Sequence, residues 1–398
     1  MGNLEIIELG ETYLMSTYAR FPVALVRGQG MRVWDADGRQ YLDFLAGIAV
    51  CNLGHCHPHV VEAVREQAGT LLHVSNLYHI EPQARLARLL VEHTFADRTF
   101  FCNSGAEANE AAIKLARKYQ KDRGEVRRAE IVSATMSFHG RTLATLTATG
   151  QDKVKIGFDP LPTGFSYVPY DDLEALEVAV DAGTAAVLLE PVQGEGGIRV
   201  PSPGYLRRVR DLCDARGALL IFDEVQTGVG RTGTFLACEQ DGVAPDLCSW
   251  AKGLGGGVAI GALLATEVVA KSFGPGTHAT TFGGNPLAAA AALAAVRTVL
   301  GDNLLPHCRR MGEYLTAGLW NAVGSHPAVT TVRGRGLLVG VELAEGYLAG
   351  HVVRELMDRG FLTGTAGERV LRLAPPLIVE KEEIDALLAA LKDVLNNL

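Results

Sequence analysis

The segment that decides the fold lies at residues 218–226 and has the sequence ALLIFDEVQ. Its first five residues are all apolar, which is typical of a strand that is buried on both faces in a parallel sheet. A helix is predicted immediately before it, at Tyr205–Ala215, and Gly217 ends that helix. The polar residues from Asp223 onward follow the strand directly, at the position where open α/β sheets bind their ligands.

The same alternation of strand and helix extends outward from this segment. Further short apolar strands are predicted at Phe100–Cys102, Ile131–Ala134, Ala185–Leu189 and Gly261–Ala265, with a helix at Ala106–Tyr119. Apolar strands separated by helices indicate an α/β fold in which helices cover both faces of a parallel sheet.

The two ends of the chain have a different pattern. Asp37-Gly38 between two short alternating runs predicts a hairpin at Arg32–Asp43, and a helix is expected at His59–Leu72. After Asn285 come an Ala-rich helix, strands near 336–343 and 371–373, and a last helix at 381–395. We therefore expect an N-terminal segment (1–50) packing with a small α+β domain (286–398), and a large domain between them (51–285).

Composition excludes several classes of protein. The 398 residues carry a net charge of −8, which opposes non-specific nucleic-acid binding. The seven cysteines contain no CxxC pair, so we expect reduced thiols and a cytoplasmic protein. The longest apolar run has ten residues, whereas a membrane span needs about twenty. Neither nucleic acid nor membrane is therefore an expected partner.

Polar or glycine-rich motifs follow four of the predicted strands. They are Asn103–Glu107, Ser137–Arg141, Glu190–Glu195 and Asp223–Gln226. One such motif alone is most simply an ordinary solvated loop. Four motifs in succession, all at the carboxyl ends of strands in one sheet, favour a shared ligand site.

The first of these motifs is suited to an anion. Ser104 and Glu107 have the spacing of a capping box, so Gly105 and Ala106 would be the first helical residues. Their free N–H groups and small side chains suit a phosphate group. The alternative is a plain helix cap without a ligand.

Two further residues are candidates for a catalytic role. Lys252 lies in the segment 251–257, AKGLGGG, which is not a phosphate-binding Walker loop because the lysine precedes the glycines. A lysine among apolar residues can become a nucleophilic amine; the alternative is a solvated lysine in a surface loop. Asp223 is expected to be buried, and its carboxylate then needs a cation, either a protonated pyridine nitrogen or an arginine.

A metal site is not expected. The cluster His55-Cys56-His57-Pro58-His59 has no second Cys/His pair to complete a tetrahedral zinc site. A loop that leads into the following helix is the preferred interpretation.

These motifs together resemble those of a known family. The matching segments are Ser104–Glu110, Phe138–Thr142, Glu190–Glu195, Asp223–Gly228, Ala251–Gly253 and Thr280–Pro286. In order and spacing they are similar to the class III (ornithine-type) pyridoxal-phosphate aminotransferases. The resemblance implies the fold type I of PLP-dependent transferases: a large domain with a mostly parallel seven-stranded sheet, plus a smaller α+β domain.

The resemblance also implies roles at the cofactor, pyridoxal 5'-phosphate. Lys252 would bind it covalently and then move the substrate proton, while Asp223 would keep its pyridine nitrogen protonated. The implied cofactor-binding residues are Gly105, Ala106, Phe138, Asp223, Glu224, Val225, Gln226, Lys252 and Thr281. Gly105 and Ala106 would hold the phosphate, and Val225 and Phe138 the two ring faces. Gln226 would bind the ring hydroxyl, and Thr281 would reach the neighbouring subunit's phosphate, which implies a homodimer.

The remaining implied roles concern substrate. Arg141 would bind the α-carboxylate of the amino donor, and Arg372 the second carboxylate of glutamate or 2-oxoglutarate. Glu195 would neutralise Arg372 when a donor without that carboxylate enters. Thr280 would contact substrate, and Tyr18 would line the entrance.

Within the family, the segments Leu42–Val50, Gly54–Pro58, Ser75–Pro82 and Gly253–Gly257 are similar to members that use N2-acetyl-L-ornithine. The expected activity is therefore transfer of its terminal amine to 2-oxoglutarate, a step of arginine biosynthesis. Other donors remain open: succinylornithine, ornithine, 4-aminobutyrate or a carrier-linked lysine. An aminomutase of the glutamate-semialdehyde type is disfavoured, because a dicarboxylate switch would serve no purpose there. A non-catalytic scaffold is disfavoured by the complete set of Lys252, Asp223 and Arg141.

Overall fold

The computed structural model describes residues 1–397. Its strands are β1 (Leu25–Gln29), β2 (Arg32–Asp35), β3 (Gln40–Asp43), β4 (Arg98–Cys102), β5 (Glu130–Ala134), β6 (Phe165–Val168), β7 (Thr184–Leu189), β8 (Leu219–Asp223), β9 (Leu247–Trp250), β10 (Gly261–Ala265), β11 (Val329–Arg335), β12 (Leu338–Leu343), β13 (Phe361–Leu362), β14 (Gly364–Thr365) and β15 (Val370–Leu373).

The α-helices surround these strands. They are α1 (Asn3–Tyr13), α2 (Ala46–Ala49), α3 (Pro58–Thr70), α4 (Glu81–Glu92), α5 (Gly105–Asp122), α6 (Leu143–Ala148), α7 (Leu173–Ala179), α8 (Tyr205–Arg216), α9 (Glu267–Ala270), α10 (Pro286–Gly301), α11 (Leu304–Val323), α12 (Ala349–Asp358) and α13 (Lys381–Asn396). Short 3₁₀ turns lie at Asp152–Val154, Ala237–Asp241 and Lys252–Gly255.

A seven-stranded sheet forms the centre of the molecule, with strand order β4-β10-β9-β8-β7-β5-β6. Only β10 runs antiparallel to its neighbours within this sheet. Every residue of β7, β8 and β9 is buried, because helices cover both faces. The prediction of a mostly parallel seven-stranded sheet is confirmed.

Local sequence signals place the elements that border this sheet. The Ser104 hydroxyl accepts a hydrogen bond from the Glu107 N–H at 3.2 Å and so starts α5. Gly217 adopts φ 68° and ends α8, a conformation that costs glycine little. Both signals were predicted, and the observed helices begin and end within a few residues of the expected bounds.

Two smaller sheets flank the large one, with orders β1-β2-β3-β13 and β11-β12-β15-β14. The first contains the predicted hairpin, with Gly38 in its turn at φ 88°. Its β3 pairs in parallel with β13 through Leu42 and Phe361. This long-range pairing supports the division that we propose, in which residues 1–50 pack with the domain at 286–398.

The Ala-rich helix α10 packs against α3 and α4 with most of its residues buried. Its small side chains allow close approach of the neighbouring helices. Among residues 1–397, no single helix is long and apolar enough to cross a membrane.

His55 occupies a structural position. Its Nε2 lies 2.7 Å from the Asp43 carboxylate, and its backbone pairs with Gly30. The hydrogen bond to Asp43 raises the pKa of His55 from 6.5 to about 10. The imidazole is therefore a cation at neutral pH and ties the start of α3 to the N-terminal sheet.

We predict that the His55–Asp43 pair stabilises the fold in a pH-dependent way. Its contribution is full below pH 6.5 and is lost as the pH rises through about 10, because the folded-state pKa is the raised one. At pH 7, His55→Gln should lower the free energy of unfolding by about 2 kcal/mol after allowance for partial exposure. Urea denaturation at pH 7 and pH 10 measures this. An equal difference at both pH values would contradict the ion-pair account.

Candidate active site

A cavity of about 480 Å³ lies beyond the carboxyl ends of the parallel strands. Its lining contains eight of the residues predicted from sequence: Gly105, Ala106, Phe138, Arg141, Asp223, Val225, Gln226 and Lys252. The four polar motifs thus converge on one site, as their positions after the strands predicted. Val50 and residues 257–260 also line the cavity.

The N-terminus of α5 opens into this cavity. The N–H groups of Gly105 and Ala106 belong to the first helical turn and precede any intrahelical acceptor, so they can bind an anion. A Cβ added to Gly105 would lie 2.7 Å from Cγ1 of Val225. Glycine is therefore required here for the helix end to approach the segment after β8.

Asp223 is the buried acid of the site and is only 4% exposed. Its Oδ2 accepts hydrogen bonds from Asn109 Nδ2 at 2.7 Å and pairs with His139 Nδ1 at 2.8 Å. Its Oδ1 accepts the Val225 N–H at 3.0 Å. The carboxylate is thus held in one orientation at the wall of the cavity.

A second layer of side chains supports this arrangement. Ser249 Oγ donates to Asn109 Oδ1 at 2.6 Å, and Ser133 Oγ lies 3.2 Å from His139 Nε2. Sequence reasoning gave none of these four residues a role. Helical spacing could have indicated Asn109, since it lies one turn after Gly105 and so shares its face.

Lys252 enters the cavity from the turn after β9, with φ 39°. Burial lowers the pKa of its amine, against the opposing effect of Glu195 and Asp223. A lower pKa increases the fraction of neutral, nucleophilic amine at neutral pH. Of the two alternatives that the sequence left open, this position is that of a desolvated lysine and not of a solvated surface lysine.

Arg372 and Glu195 form a contact beside the cavity, Nη1 to Oε1. Gln226 joins them, since its Oε1 accepts from Arg372 at 3.4 Å and its Nε2 donates to Glu195 at 3.3 Å. Although burial alone would raise it, the pKa of Glu195 is lowered by Arg372 and Lys252. The carboxylate is therefore charged and can neutralise the guanidinium.

Phe138 and Arg141 lie on the loop after β5. The Phe138 N–H donates to the buried carboxyl of Glu190 at 3.1 Å, which fixes the loop against β7. The Arg141 guanidinium is exposed and lies 5.6 Å from the centre of the Phe138 ring. A free guanidinium at the cavity mouth is suited to a carboxylate.

Six predicted residues do not line this cavity. Two of them, Arg372 and Glu195, contact its lining through Gln226, and the other four lie elsewhere. The buried Glu224 carboxyl accepts the N–H groups of Ala237 and Cys238 at 2.6 and 3.0 Å, so it holds a neighbouring turn. Tyr18 is 74% exposed and does not line it. Thr280 and Thr281 line a separate cavity of about 370 Å³ that shares Asn103 with the first.

The residues present fit pyridoxal 5'-phosphate. A helix N-terminus can hold its phosphate, a fixed carboxylate can hold its pyridine nitrogen, and a desolvated lysine lies within the same cavity. Val225 and Phe138 offer apolar surfaces for the ring. Fold and site together define a PLP-dependent enzyme of fold type I.

Comparison with known proteins identifies the family within this class of enzymes. The family model "Aminotransferase class-III" matches residues 13–395, and the chain belongs to that family. It is 51% identical to the acetylornithine aminotransferase of Methanocaldococcus jannaschii over 99% of this chain and 98% of the relative. It is 54% identical to that of Thermosynechococcus vestitus over 97% and 95%.

A solved structure gives the same result. The ornithine aminotransferase from Toxoplasma gondii matches with a TM-score of 0.95 at 36% identity, over 98% of this chain and 94% of that one. That structure shows partial occupancy of PLP at its active site. The present chain is therefore a PLP-dependent transaminase.

We predict that Gly105→Ala weakens PLP binding. The added methyl group would displace Val225, so the dissociation constant for PLP should rise at least about tenfold, equivalent to about 1.4 kcal/mol. Absorbance titration of the apoenzyme measures this. Gly69→Ala in α3 is the matched control, because its Cβ meets nothing within 4 Å. Equal PLP affinity in the two variants would contradict the proposed phosphate cradle.

Proposed function

We propose that the protein transfers the terminal amine of N2-acetyl-L-ornithine to 2-oxoglutarate. The products are N-acetyl-L-glutamate 5-semialdehyde and L-glutamate, as in arginine biosynthesis. Near-complete coverage at 51% and 54% identity to acetylornithine aminotransferases supports this donor. The observation that carries the two-substrate reaction is the contact between Arg372 and Glu195 beside the lysine cavity.

In this proposal each cofactor contact comes from a residue described above. Bound PLP supplies an electron-withdrawing ring that stabilises negative charge on the substrate carbon. Asp223 holds the proton on the pyridine nitrogen, and the N-terminus of α5 binds the phosphate. Lys252 holds the cofactor and later moves the proton at the reacting carbon. Its lowered pKa suits both tasks.

The Arg372–Glu195 pair explains how one cavity accepts two unlike substrates. With glutamate or 2-oxoglutarate bound, Arg372 binds the distal carboxylate and Glu195 is displaced. With acetylornithine bound, the contact closes and the guanidinium stays neutralised. A buried guanidinium without this partner would be costly, so the pair favours a transaminase over an aminomutase.

Arg141 binds the α-carboxylate of acetylornithine in this proposal. Its guanidinium is exposed at the cavity mouth and has the bidentate geometry that carboxylates require. Thr280 accepts a hydrogen bond at 3.3 Å from Asn103, which lines the cavity, and this position supports a role for Thr280 as a further substrate contact. Ornithine is the second candidate donor, because the Toxoplasma gondii enzyme that matches the fold bears that name.

We further propose a homodimer in the cytoplasm. Thr281 is exposed outside its own chain's cavity, so it is free to reach the cofactor phosphate of a second copy. Exposed apolar side chains near it support this, since Leu77, Tyr78 and Phe282 are 86%, 70% and 60% exposed. Tyr18 would then meet an active site only within the dimer. Seven free thiols fit a reducing compartment.

We predict that Lys252→Ala abolishes turnover while the protein stays folded. The substitution removes the amine that holds the cofactor and moves the proton, so kcat should fall by at least about 10³-fold. A coupled assay for glutamate and a thermal melt measure the two effects. Lys271→Ala is the control, because that lysine is 71% exposed and its salt bridge is the exposed pair with Glu267. Normal turnover in Lys252→Ala would contradict the proposed role of this lysine in transamination.

We predict that Glu195→Gln separates the two half-reactions. The neutral amide leaves Arg372 uncompensated when acetylornithine binds, so that half-reaction should slow about tenfold, equivalent to about 1.4 kcal/mol. The glutamate half-reaction should change less than about threefold, because glutamate itself neutralises Arg372. Stopped-flow absorbance with each donor measures both rates. Equal slowing of the two would refute the switch.

A further inference from the structure

Arg231 is a fully buried arginine, with 0% of its surface exposed. It follows the polar motif after β8 in the sequence. Its guanidinium donates to three neutral oxygens: Leu337 O at 3.1 Å, Pro375 O at 2.5 Å and Asn52 Oδ1 at 2.6 Å. Within residues 1–397 its Nε has no hydrogen-bond partner.

A buried guanidinium among neutral acceptors is an expensive arrangement. Burial lowers the pKa of Arg231 from its usual value to about 10. A well-packed apolar side chain would satisfy a purely structural position at lower cost. The three acceptors lie on segments next to Lys252 and Arg372, and this location indicates the role of the arginine.

One acceptor leads to the catalytic lysine. Asn52 is 1% exposed, and its Nδ2 donates to Val229 O at 2.9 Å. A Cβ on Gly253 would lie 2.2 Å from Asn52 Nδ2, so the amide packs directly on the residue after Lys252. Arg231 therefore fixes the amide against which the lysine turn rests.

The other two acceptors lead to the dicarboxylate-binding arginine. Pro375 lies three residues after Arg372, and Leu377 N–H donates to Asn52 O at 2.7 Å. Leu337 immediately precedes β12, which pairs with β15. Its N–H also donates to Arg231 O at 3.1 Å. The segment that follows the strand carrying Arg372, and the start of the strand beside it, are thus tied to Arg231.

We propose that Arg231 is a positioning residue, whose guanidinium sets Arg372 at the distance from Lys252 that a dicarboxylate substrate requires. It does so by bridging the segment after β15, the start of β12 and Asn52. This inference rests on the proposed transaminase function and concerns the specificity of the same site. A dicarboxylate needs Arg372 in place, whereas an amine donor without a second carboxylate does not.

Arg117 provides a matched control. Its guanidinium likewise donates to three neutral oxygens, the backbone carbonyls of Ala129, Thr163 and Gly164, at 2.9 to 3.0 Å. It lies on α5 and does not line the active-site cavity. Arg117→Lys therefore reports the cost of losing the three hydrogen bonds of a half-buried guanidinium at a site that does not contact Arg372.

The test uses the PLP-loaded enzyme with Arg231→Lys, Arg231→Gln and Arg117→Lys. Each half-reaction is followed by absorbance, once with L-glutamate and once with acetylornithine. We expect both Arg231 variants to lower kcat/KM for glutamate at least about tenfold, mainly through KM, and for acetylornithine less than about threefold. Arg117→Lys should leave kcat/KM unchanged for both glutamate and acetylornithine, even if its melting temperature falls as much as that of the Arg231 variants.

A double-mutant cycle shows whether the effect passes through Arg372. In an Arg372→Lys background, Arg231→Lys should cause little further loss with glutamate, because the positioned group is already impaired. Full additivity would overturn the proposal. So would equal loss on both donors, an unchanged glutamate reaction, or loss of PLP binding and fold in both Arg231 variants.

If acetylornithine is not the donor, the measurements give a result that differs from failure of the Arg231 proposal. A wild-type enzyme that reacts with glutamate but not with acetylornithine refutes that donor alone. The comparison is then made with the ω-amine donor that the enzyme accepts, and the effect of Arg231 on glutamate is measured as before.

Discussion

The site depends on one buried carboxylate, that of Asp223 at the end of β8. A charge this deep in a sheet is stable only because His139, Asn109 and the Val225 N–H surround it. Each of these partners belongs to a different part of the cavity wall. Asn109 lies on the helix whose N-terminus faces the cavity, and His139 follows Phe138. Orienting the acid therefore also fixes the helix end, the ring-facing loop and the segment after β8.

Cationic side chains are the second feature of the site and its surroundings. Lys252, Arg372 and the fully buried Arg231 lie close to few acids, of which Glu195 contacts Arg372 directly. Burial lowers the pKa of the lysine amine, although Glu195 opposes this effect. In the proposed function, either Glu195 or a substrate carboxylate neutralises Arg372, so that two substrates of different charge use one cavity.

Sequence predicted what depends on local signals. The capping box at Ser104, the αL glycine at 217 and the apolar run at 218–222 each act over a few residues, so the central helices and most strands of the large sheet could be placed. β6 and β9 have four residues each and gave no separable signal. Glu224 was expected at the cofactor, but its neighbours at Ala237 and Cys238 are set by tertiary packing. Arg231 was missed because its partners lie up to 179 positions away.

The most direct test of the account is the absorbance spectrum of the purified protein with PLP, before and after separate additions of acetylornithine, ornithine and 4-aminobutyrate. We expect a visible cofactor band that converts to the pyridoxamine form fastest with acetylornithine. Faster conversion with ornithine or 4-aminobutyrate would contradict the donor and keep the mechanism. Absence of any band after addition of PLP would contradict the cofactor, and with it the whole account.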